Sequence, residues 1–265
     1  MTTEARAAVA TRLHGVVEAA PGRLSVAVTA SDGYAWGHDA ERVVPSASTI
    51  KLPILVAALA TVESGDLGLG TTVPVPETRV GGSGPLSLLP SVTSLPLGEL
   101  LALMVALSDN DATNAVVDLV GVPAVAALLA SVPTRHTRLR RRMMDFAAAG
   151  RGLENETCAA DLVATMAALR EGRLLGPEGS RSALHILRSQ QLREGLPAYL
   201  PADVEVASKT GELPGLRADV ALLERGGRWV AVSVIATGLL DHDADRGTAV
   251  LPSFAALGEV AAGLL

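Results

Sequence analysis

Several kinds of residue are scarce in this sequence of 265 amino acids, and each shortage excludes a class of protein. The single cysteine, Cys158, rules out an internal disulfide, and no Cys or His cluster has metal-ligand spacing, so we expect no metal and no other cofactor. The net charge of −6 lacks the basic excess of nucleic-acid-binding proteins. No run reaches the roughly 18 apolar residues that span a membrane. We therefore expect neither nucleic acid nor a membrane as a partner.

The N-terminus lacks the features of a secretory signal. The segment MTTEARAAVATRLHGVV has no basic stretch followed by an apolar one. The protein is expected in the cytoplasm if Met1 is its native start, and to be secreted if a signal peptide was removed. Residues 135–142 include five arginines and are expected to form a solvated or salt-bridged loop, with anion binding as the alternative.

Aliphatic residues are abundant, and their spacing predicts both helices and strands. Apolar residues make up 49% of the chain, enough for a sizeable core in a monomer or weak dimer. A helix is expected in residues 3–20, followed by a strand in residues 24–30, an SDG turn and a return strand. Helical spacing then continues over residues 48–195. Three more strands are expected in residues 204–238, and a closing helix in residues 247–265.

This order of elements predicts an α+β fold with two lobes. An antiparallel sheet flanked by the N- and C-terminal helices, with an all-helical lobe inserted, lets every element bury its apolar face. Shifts in composition set the boundaries: residues 1–44 and 190–265 form the α/β lobe, and residues 45–189 form the all-helical lobe. We expect the active site at the interface between the lobes.

Three short motifs carry groups suited to nucleophilic catalysis. The segment PSASTIKLPIL places Ser48 three residues before Lys51, so that on a helix the hydroxyl and the amine lie on one face. A serine hydroxyl is a poor nucleophile until a base takes its proton, and a neutral lysine can be that base. LMVALSDNDATN adds Ser108 and Asn110, and VEVASKTGELPG adds Lys209. Taken singly, these motifs are more readily explained as a helix cap, polar loop residues and an ordinary strand end.

Taken together, the three motifs resemble those of the class A β-lactamases and the wider group of penicillin-recognising serine enzymes. S-x-x-K, S-D-N and K-T-G occur in the family's order, each in its expected context of helix start, interhelix loop and strand. The resemblance covers nearly the whole chain, including GGSGPL before the second motif. It implies a β-lactamase-like fold and an acyl-serine intermediate, formed with a β-lactam or a related amide or ester that bears a carboxylate.

The resemblance also implies a role for each residue of the motifs. Ser48 would be the nucleophile, Lys51 its base, Ser108 the proton relay to the leaving nitrogen, and Lys209 a source of positive field. The N–H of Ser48 and one from the strand after Lys209 would form an oxyanion hole. The residues that would bind the substrate are Asn110, Thr210, Gly211 and Arg217.

The sequence departs from the family in the loop that should carry a glutamate for deacylation. Aligning this loop places Arg140 beside Asn155 as a structural pair and puts Arg142 at the position of the glutamate. The candidate deacylation base is then Asp145, the nearest carboxylate, provided that the loop is rearranged; Glu154 lies farther along. Because a missing base slows hydrolysis, we expect the acyl-enzyme to persist.

Three functional hypotheses remain open on the sequence alone. The first is a serine hydrolase of the β-lactamase type that acts on a β-lactam or a related substrate. The second is a cytoplasmic peptidase, esterase or acyltransferase with a non-antibiotic substrate. The third is a β-lactam-binding protein that is acylated and turns over slowly.

Overall fold

The computed structural model describes residues 2–239 and 247–265, and it is organised around a five-stranded antiparallel sheet. The strands of this sheet are β1 (Arg23–Ala30), β2 (Ala35–His38), β7 (Glu205–Leu213), β8 (Leu216–Arg225) and β9 (Arg228–Thr237). Their order across the sheet is β2-β1-β9-β8-β7, so β7 is an edge strand. β7 and β8 form a hairpin that pairs Leu213 with Leu216 across a turn at Pro214 and Gly215, where Gly215 has a φ of 70°.

Helices cover both faces of the sheet. They are α1 (Thr3–Ala19), α2 (Lys51–Glu63), α3 (Leu97–Ala106), α4 (Asn110–Val120), α5 (Val122–Ala130), α6 (Phe146–Gly150), α7 (Ala159–Arg170), α8 (Pro177–Arg188) and α9 (Leu251–Ala262). The terminal helices α1 and α9 pack on one face, and α7 and α8 pack on the other. Successive residues of β9 point to opposite faces of the sheet. Val234 packs in the core on the side of α1 and α9, and Ile235 packs in the core on the side of α7 and α8. The sheet is therefore buried on both sides.

The segment between β2 and β7, which contains most of the helices, also contains two short two-stranded ladders. β3 (Val44–Pro45) pairs with β6 (Glu156–Thr157), and β4 (Thr72–Pro74) pairs with β5 (Ser94–Pro96). The α+β fold is as predicted, but this insert is not helical throughout. The ladders satisfy backbone groups in loops that flank the helices, and three of these four strands contain a proline, which limits their extension. The division into two lobes at residues 45 and 190 stays a prediction.

Helix boundaries in this segment follow local capping. α4 begins at Asn110 because the side chain of Asp109 accepts a hydrogen bond from Ala112 N at 2.8 Å. α2 begins at Lys51, three residues later than the sequence suggests, because the preceding residues Ala47–Ile50 form a 3-10 turn. These two starts set the positions of the serine, lysine and asparagine side chains of the first two motifs.

Within residues 2–239 and 247–265, no single helix is long and apolar enough to cross a membrane. α4 and α5 together reach that length and composition, but they are bent by 81° at the break between them.

Candidate active site

Ser48 lies in the 3-10 turn Ala47–Ile50, directly before α2. Two hydrogen bonds fix this turn: Ser46 N donates to Asn155 O at 2.8 Å, and Thr49 Oγ1 donates to Ser46 O at 2.6 Å. Ala47 adopts a φ of 46°, a region that residues with a side chain rarely occupy. Ser48 lines two adjoining cavities of about 590 and 350 Å³, so its hydroxyl is reachable from both.

Lys51 is fully buried, and its amine is bound by uncharged acceptors. Lys51 Nζ donates to Ser108 O at 2.6 Å, to Ser108 Oγ at 3.1 Å and to Asn110 Oδ1 at 2.9 Å. Burial lowers the pKa of Lys51 well below its ordinary value, and the nearby charge of Lys209 lowers it further. Among the described hydrogen bonds none joins Lys51 Nζ to Ser48 Oγ. The two residues nevertheless lie one turn apart, with Ser48 in the 3-10 turn and Lys51 at the start of α2.

Lys209 is also fully buried and shares an acceptor with Lys51. Its Nζ donates to Ser108 Oγ at 3.2 Å and to Thr210 O at 2.8 Å. Burial lowers the pKa of Lys209 to about 7, and the charge of Asp219 opposes this shift. The Ser108 hydroxyl thus lies between two amines, and Ser108 has a left-handed φ of 55°. Strained residues of this kind persist where the surroundings hold them, and they cluster at functional sites.

The loop GGSGPL supports the second motif. Asn110 Nδ2 donates to Gly81 O at 2.9 Å, and Leu86 N donates to Asp109 Oδ2 at 2.8 Å. Gly84 has a φ of 90°, and a Cβ there would come within 2.3 Å of Asp109 Cα, so only glycine fits. The loop therefore holds the Asn110 side chain where Lys51 can reach it.

The edge strand β7 passes close to the turn that carries Ser48. A Cβ on Gly211 would meet Ser48 N at 3.2 Å and the Ala47 side chain at 3.1 Å, so a larger residue would push the strand away. Thr210 and Arg217 both line the smaller cavity. Arg217 forms an ion pair with Glu212 at 2.5 Å. The structure thus brings Ser48 together with the seven other residues that were predicted for catalysis and substrate binding.

Asp145, the candidate deacylation base, does not join this group. It is the N-cap of α6, and its Oδ1 accepts a hydrogen bond from Ala148 N at 2.9 Å. It lines neither cavity that contains Ser48. A general base has to reach the water that attacks the acyl group, so this position gives no support for that role.

The alignment of this loop with the family, made from the sequence, differs by one residue from the arrangement of the arginine side chains in the structure. The side chain of Arg142 is 47% exposed and pairs with Asp118 at 2.9 Å, away from the cavity. Arg140 pairs with Glu156 near the surface. The buried arginine of the loop is instead Arg141, with a side chain only 8% exposed. Its neighbour Arg142 therefore cannot occupy the place of a base that faces Ser48.

The residue that faces the larger cavity at this point is Met143. Asn114 holds its backbone with two hydrogen bonds, from Met143 N to Asn114 Oδ1 at 2.8 Å and from Asn114 Nδ2 to Met143 O at 3.2 Å. Met144 follows with a φ of 62° and also lines the cavity. Together with Phe146, these two thioether side chains form the apolar part of the loop wall of this cavity.

Two carboxylates line this larger cavity, Glu154 and Glu212. Glu154 Oε1 accepts hydrogen bonds from Arg141 Nε at 3.0 Å, Arg141 Nη2 at 2.7 Å and Asn155 N at 2.8 Å. Asn155 Oδ1 accepts from the backbone N–H groups of Arg140 and Arg141. These polar groups are engaged in holding the loop together.

Sequence reasoning missed several residues of the site. Arg141, Met143 and Met144 gave no signal, because the arginines and methionines of the loop are adjacent and only the backbone path decides which of them faces inward. Asp219 was also missed, although an acidic residue in the apolar stretch RADVALL is a recognisable sign of a buried charge. It lines the smaller cavity and is 1% exposed.

No group of three or more His, Cys, Asp or Glu side chains suited to a metal ion occurs in the part of the chain that the structure describes.

Comparisons with known proteins agree with this geometry. Residues 8–256 match the model of the β-lactamase enzyme family. A β-lactamase of Rhodobacter capsulatus is 31% identical over 237 residues, which cover 80% of this chain and 73% of that protein. The structure is similar to that of a β-lactamase from Sphaerobacter thermophilus, with a TM-score of 0.87, 29% identity, and coverage of 96% of this chain and 97% of the other.

An ancestral class A β-lactamase has a similar structure as well, with a TM-score of 0.85, 27% identity, and coverage of 96% of this chain and 98% of that chain. The family match spans most of the chain. This chain belongs to the β-lactamase enzyme family, and its fold is that of the class A enzymes.

Proposed function

From its membership of the β-lactamase enzyme family, we propose that this chain is an active-site serine hydrolase. Ser48 attacks the carbonyl of a β-lactam, or of a related amide or ester bearing a carboxylate, and forms an acyl-serine intermediate. The observation that carries this proposal is the environment of Lys51. It is a buried amine three residues from Ser48 whose three hydrogen-bond acceptors are uncharged.

The environment of Lys51 supports a role as the base. A protonated amine in the interior is stabilised by a carboxylate partner, and the acceptors of Lys51 are instead a carbonyl, a hydroxyl and a side-chain amide. The lowered pKa favours the neutral amine, which can take the proton of Ser48 Oγ. The position of Ser48 before α2 adds the positive end of a helix dipole to stabilise the forming oxyanion.

In the first step, a bond forms between Ser48 Oγ and the substrate carbonyl carbon, and the Oγ proton passes to Lys51. The N–H of Ser48 and that of Glu212, the residue after Gly211 on β7, are the proposed oxyanion-hole donors. The C–N bond then breaks, and Ser108 Oγ gives a proton to the leaving nitrogen. Ser108 is replenished through Lys51, since its hydroxyl is within hydrogen-bonding distance of that amine.

We propose that the two parts of the substrate, the leaving group and the acyl group, bind in different cavities. Ser108 lines the smaller cavity with Thr210 and Arg217, which would hold the substrate carboxylate on the leaving-group side. Asn110 lines the larger cavity, where it would bind the acyl portion. Lys209 supplies positive charge near both.

Hydrolysis of the acyl-enzyme is proposed to be slow. The wall opposite Ser48 presents Met143 and Met144, and Glu154 is engaged by Arg141. If no base activates the attacking water, the acyl group is either transferred to an amine or stays on Ser48 as a long-lived adduct. Acyl transfer or peptidase activity is therefore the second candidate function, and this loop wall is the observation in its favour.

The test is intact-mass spectrometry after mixing the protein with benzylpenicillin, a chromogenic cephalosporin or an activated ester. The wild type is expected to gain the mass of one acyl group. Ser48→Ala should gain none and should keep its circular dichroism spectrum, since the hydroxyl of one half-buried turn residue contributes little to folding. An adduct on Ser48→Ala with the same kinetics would contradict the proposed nucleophile.

A further inference from the structure

The smaller cavity contains a buried carboxylate that the proposed reaction does not use. Asp219 lies on β8 and lines this cavity, although its residue surface is only 1% exposed. Its Oδ2 accepts a hydrogen bond from Leu196 N at 3.0 Å. Its Oδ1 is buried and has no hydrogen-bond partner among the described residues. An unsatisfied buried carboxylate oxygen is costly, so a donor in the cavity would be strongly favoured.

The position of Asp219 relates it to the leaving-group side of the site. In the hairpin of β7 and β8, Asp219 is paired with Thr210, and paired residues project from the same face of the sheet. Ser208, two residues before Thr210, projects from that face as well, and its Oγ is also buried without a partner. Lys209 Nζ directs its described hydrogen bonds to Ser108 Oγ and Thr210 O. The charges of Lys209 and Arg193 favour the ionised form of Asp219, but no described hydrogen bond joins either side chain to it.

Both basic and acidic residues line the rest of the cavity wall. Thr210 and Arg217 line it together with Ser48 and Ser108, and its carboxylates are Glu194, Asp219 and Glu212, the last of which is paired with Arg217. A leaving group whose carboxylate meets Thr210 and Arg217 would extend its remaining atoms along this wall. The volume of about 350 Å³ accommodates a side chain of several heavy atoms in addition to the carboxylate.

We propose that the smaller cavity selects a leaving group that carries a cationic amine in addition to its carboxylate, with the ammonium group donating to the carboxylate of Asp219. The substrate class is then an amide whose leaving amine is a basic amino acid, such as a peptide ending in a residue with an amine-bearing side chain. This inference rests on the proposed function for the orientation of the leaving group. Asp219 acts in it as a specificity-determining residue.

Burial raises the pKa of Asp219 to about 7. At about pH 8 the carboxylate is therefore largely ionised, while an aliphatic amine remains protonated. This condition favours the ion pair and sets the pH of the test.

The test is calorimetric binding of Nα-acetyl-lysine and of Nα-acetyl-norleucine, each in the D and the L form, to the full Ser48→Ala chain. The two ligands share the amide and the carboxylate and differ in the terminal ammonium. We expect the lysine derivative of at least one hand to bind about tenfold to a hundredfold more tightly. Asp219→Asn should abolish that preference. The matched control Ser208→Ala, on the same face of the sheet, should retain it.

Equal binding of the two ligands, or a preference that survives in Asp219→Asn, would overturn the inference. If Asp219→Asn does not fold, Gly195→Ala replaces it. A Cβ at that position would lie 2.7 Å from Asp219 Oδ2 and 3.5 Å from Phe254, so it should crowd the carboxylate and reduce the preference. Binding to Ser48→Ala involves no acylation, so failure of the proposed nucleophile leaves this test unaffected. Acylation by the wild type without any lysine preference would contradict this inference alone.

Discussion

The two sides of the cavity system around Ser48 are built differently. On the lysine side, Lys51, Lys209 and Ser108 are buried, and their polar atoms bond directly to one another. On the loop side, the polar groups of Arg141 and Glu154 bond to each other and to the loop backbone, and the cavity is also lined by Met143, Met144, Phe146 and Asn155. On the first side the hydrogen bonds converge on the Ser108 hydroxyl, whereas on the second side they hold the loop together.

This contrast separates the two halves of an acyl-enzyme reaction. Acylation needs a nucleophile, a base and a relay. In the proposed mechanism the base Lys51 and the relay Ser108 are joined by a hydrogen bond, and the nucleophile Ser48 lies in the turn directly before α2. Deacylation needs a base directed at a water, and on the loop side the carboxylate of Glu154 lines the cavity but is paired with Arg141 through Oε1. We therefore expect changes on the lysine side to affect acylation, and changes on the loop side to affect the lifetime of the adduct.

The largest expected effect comes from Lys51→Arg on the lysine side. Arginine keeps the positive charge but does not give up its proton in the working range, so it cannot be the base. We expect the rate of acylation, followed by stopped-flow with a chromogenic cephalosporin, to fall by about a thousandfold or more. A variant that acylates at close to the wild-type rate would reduce Lys51 to an electrostatic role.

A smaller effect is expected when a carboxylate is added to the loop side. Met143 lines the larger cavity with Ser48, so Met143→Glu places an acid where an attacking water must approach. The steady-state rate of penicillin hydrolysis should rise at least about tenfold. Arg142→Glu is the matched control, because Arg142 faces Asp118 and solvent. Equal rates in both variants and the wild type would show that a missing base is not what limits turnover.

The smallest effect is expected from Asp145→Asn. Asparagine caps a helix about as well as aspartate, and Asp145 lines neither cavity with Ser48. Both the burst amplitude and the steady rate should stay within about twofold of the wild type, within the usual range for a substitution away from the reacting groups. A selective loss of the steady rate would restore Asp145 as the deacylation base.

Motif residues were the part of the site most accessible from sequence. Ser48, Lys51, Ser108 and Lys209 are separated along the chain, but each stands in a short pattern whose order indicates a shared site. The main strands and terminal helices were also predictable, because aliphatic residues alternate or recur at helical intervals there. In these segments, the aliphatic residues that form the pattern are also the residues that are buried.

The loop between α5 and α7 was not predictable in the same way. A shift of one residue decides whether Arg142 or Met143 faces the cavity, and that shift depends on the bonds from Asn114 and Asn155 to the loop backbone. Such long-range contacts leave no periodic pattern in the sequence. The left-handed φ at Met144 is likewise set by its surroundings, since methionine has no intrinsic preference for it.

The most direct test of this contrast is the time course of the wild-type adduct with benzylpenicillin, followed by rapid-quench intact-mass spectrometry. We predict a burst that approaches one acyl group per chain, followed by slow loss of the adduct and a weak steady rate. The acylation and deacylation rates should differ by at least about a hundredfold. Rapid turnover without an accumulating adduct would contradict the account, because it would require a deacylation base that the loop side does not present.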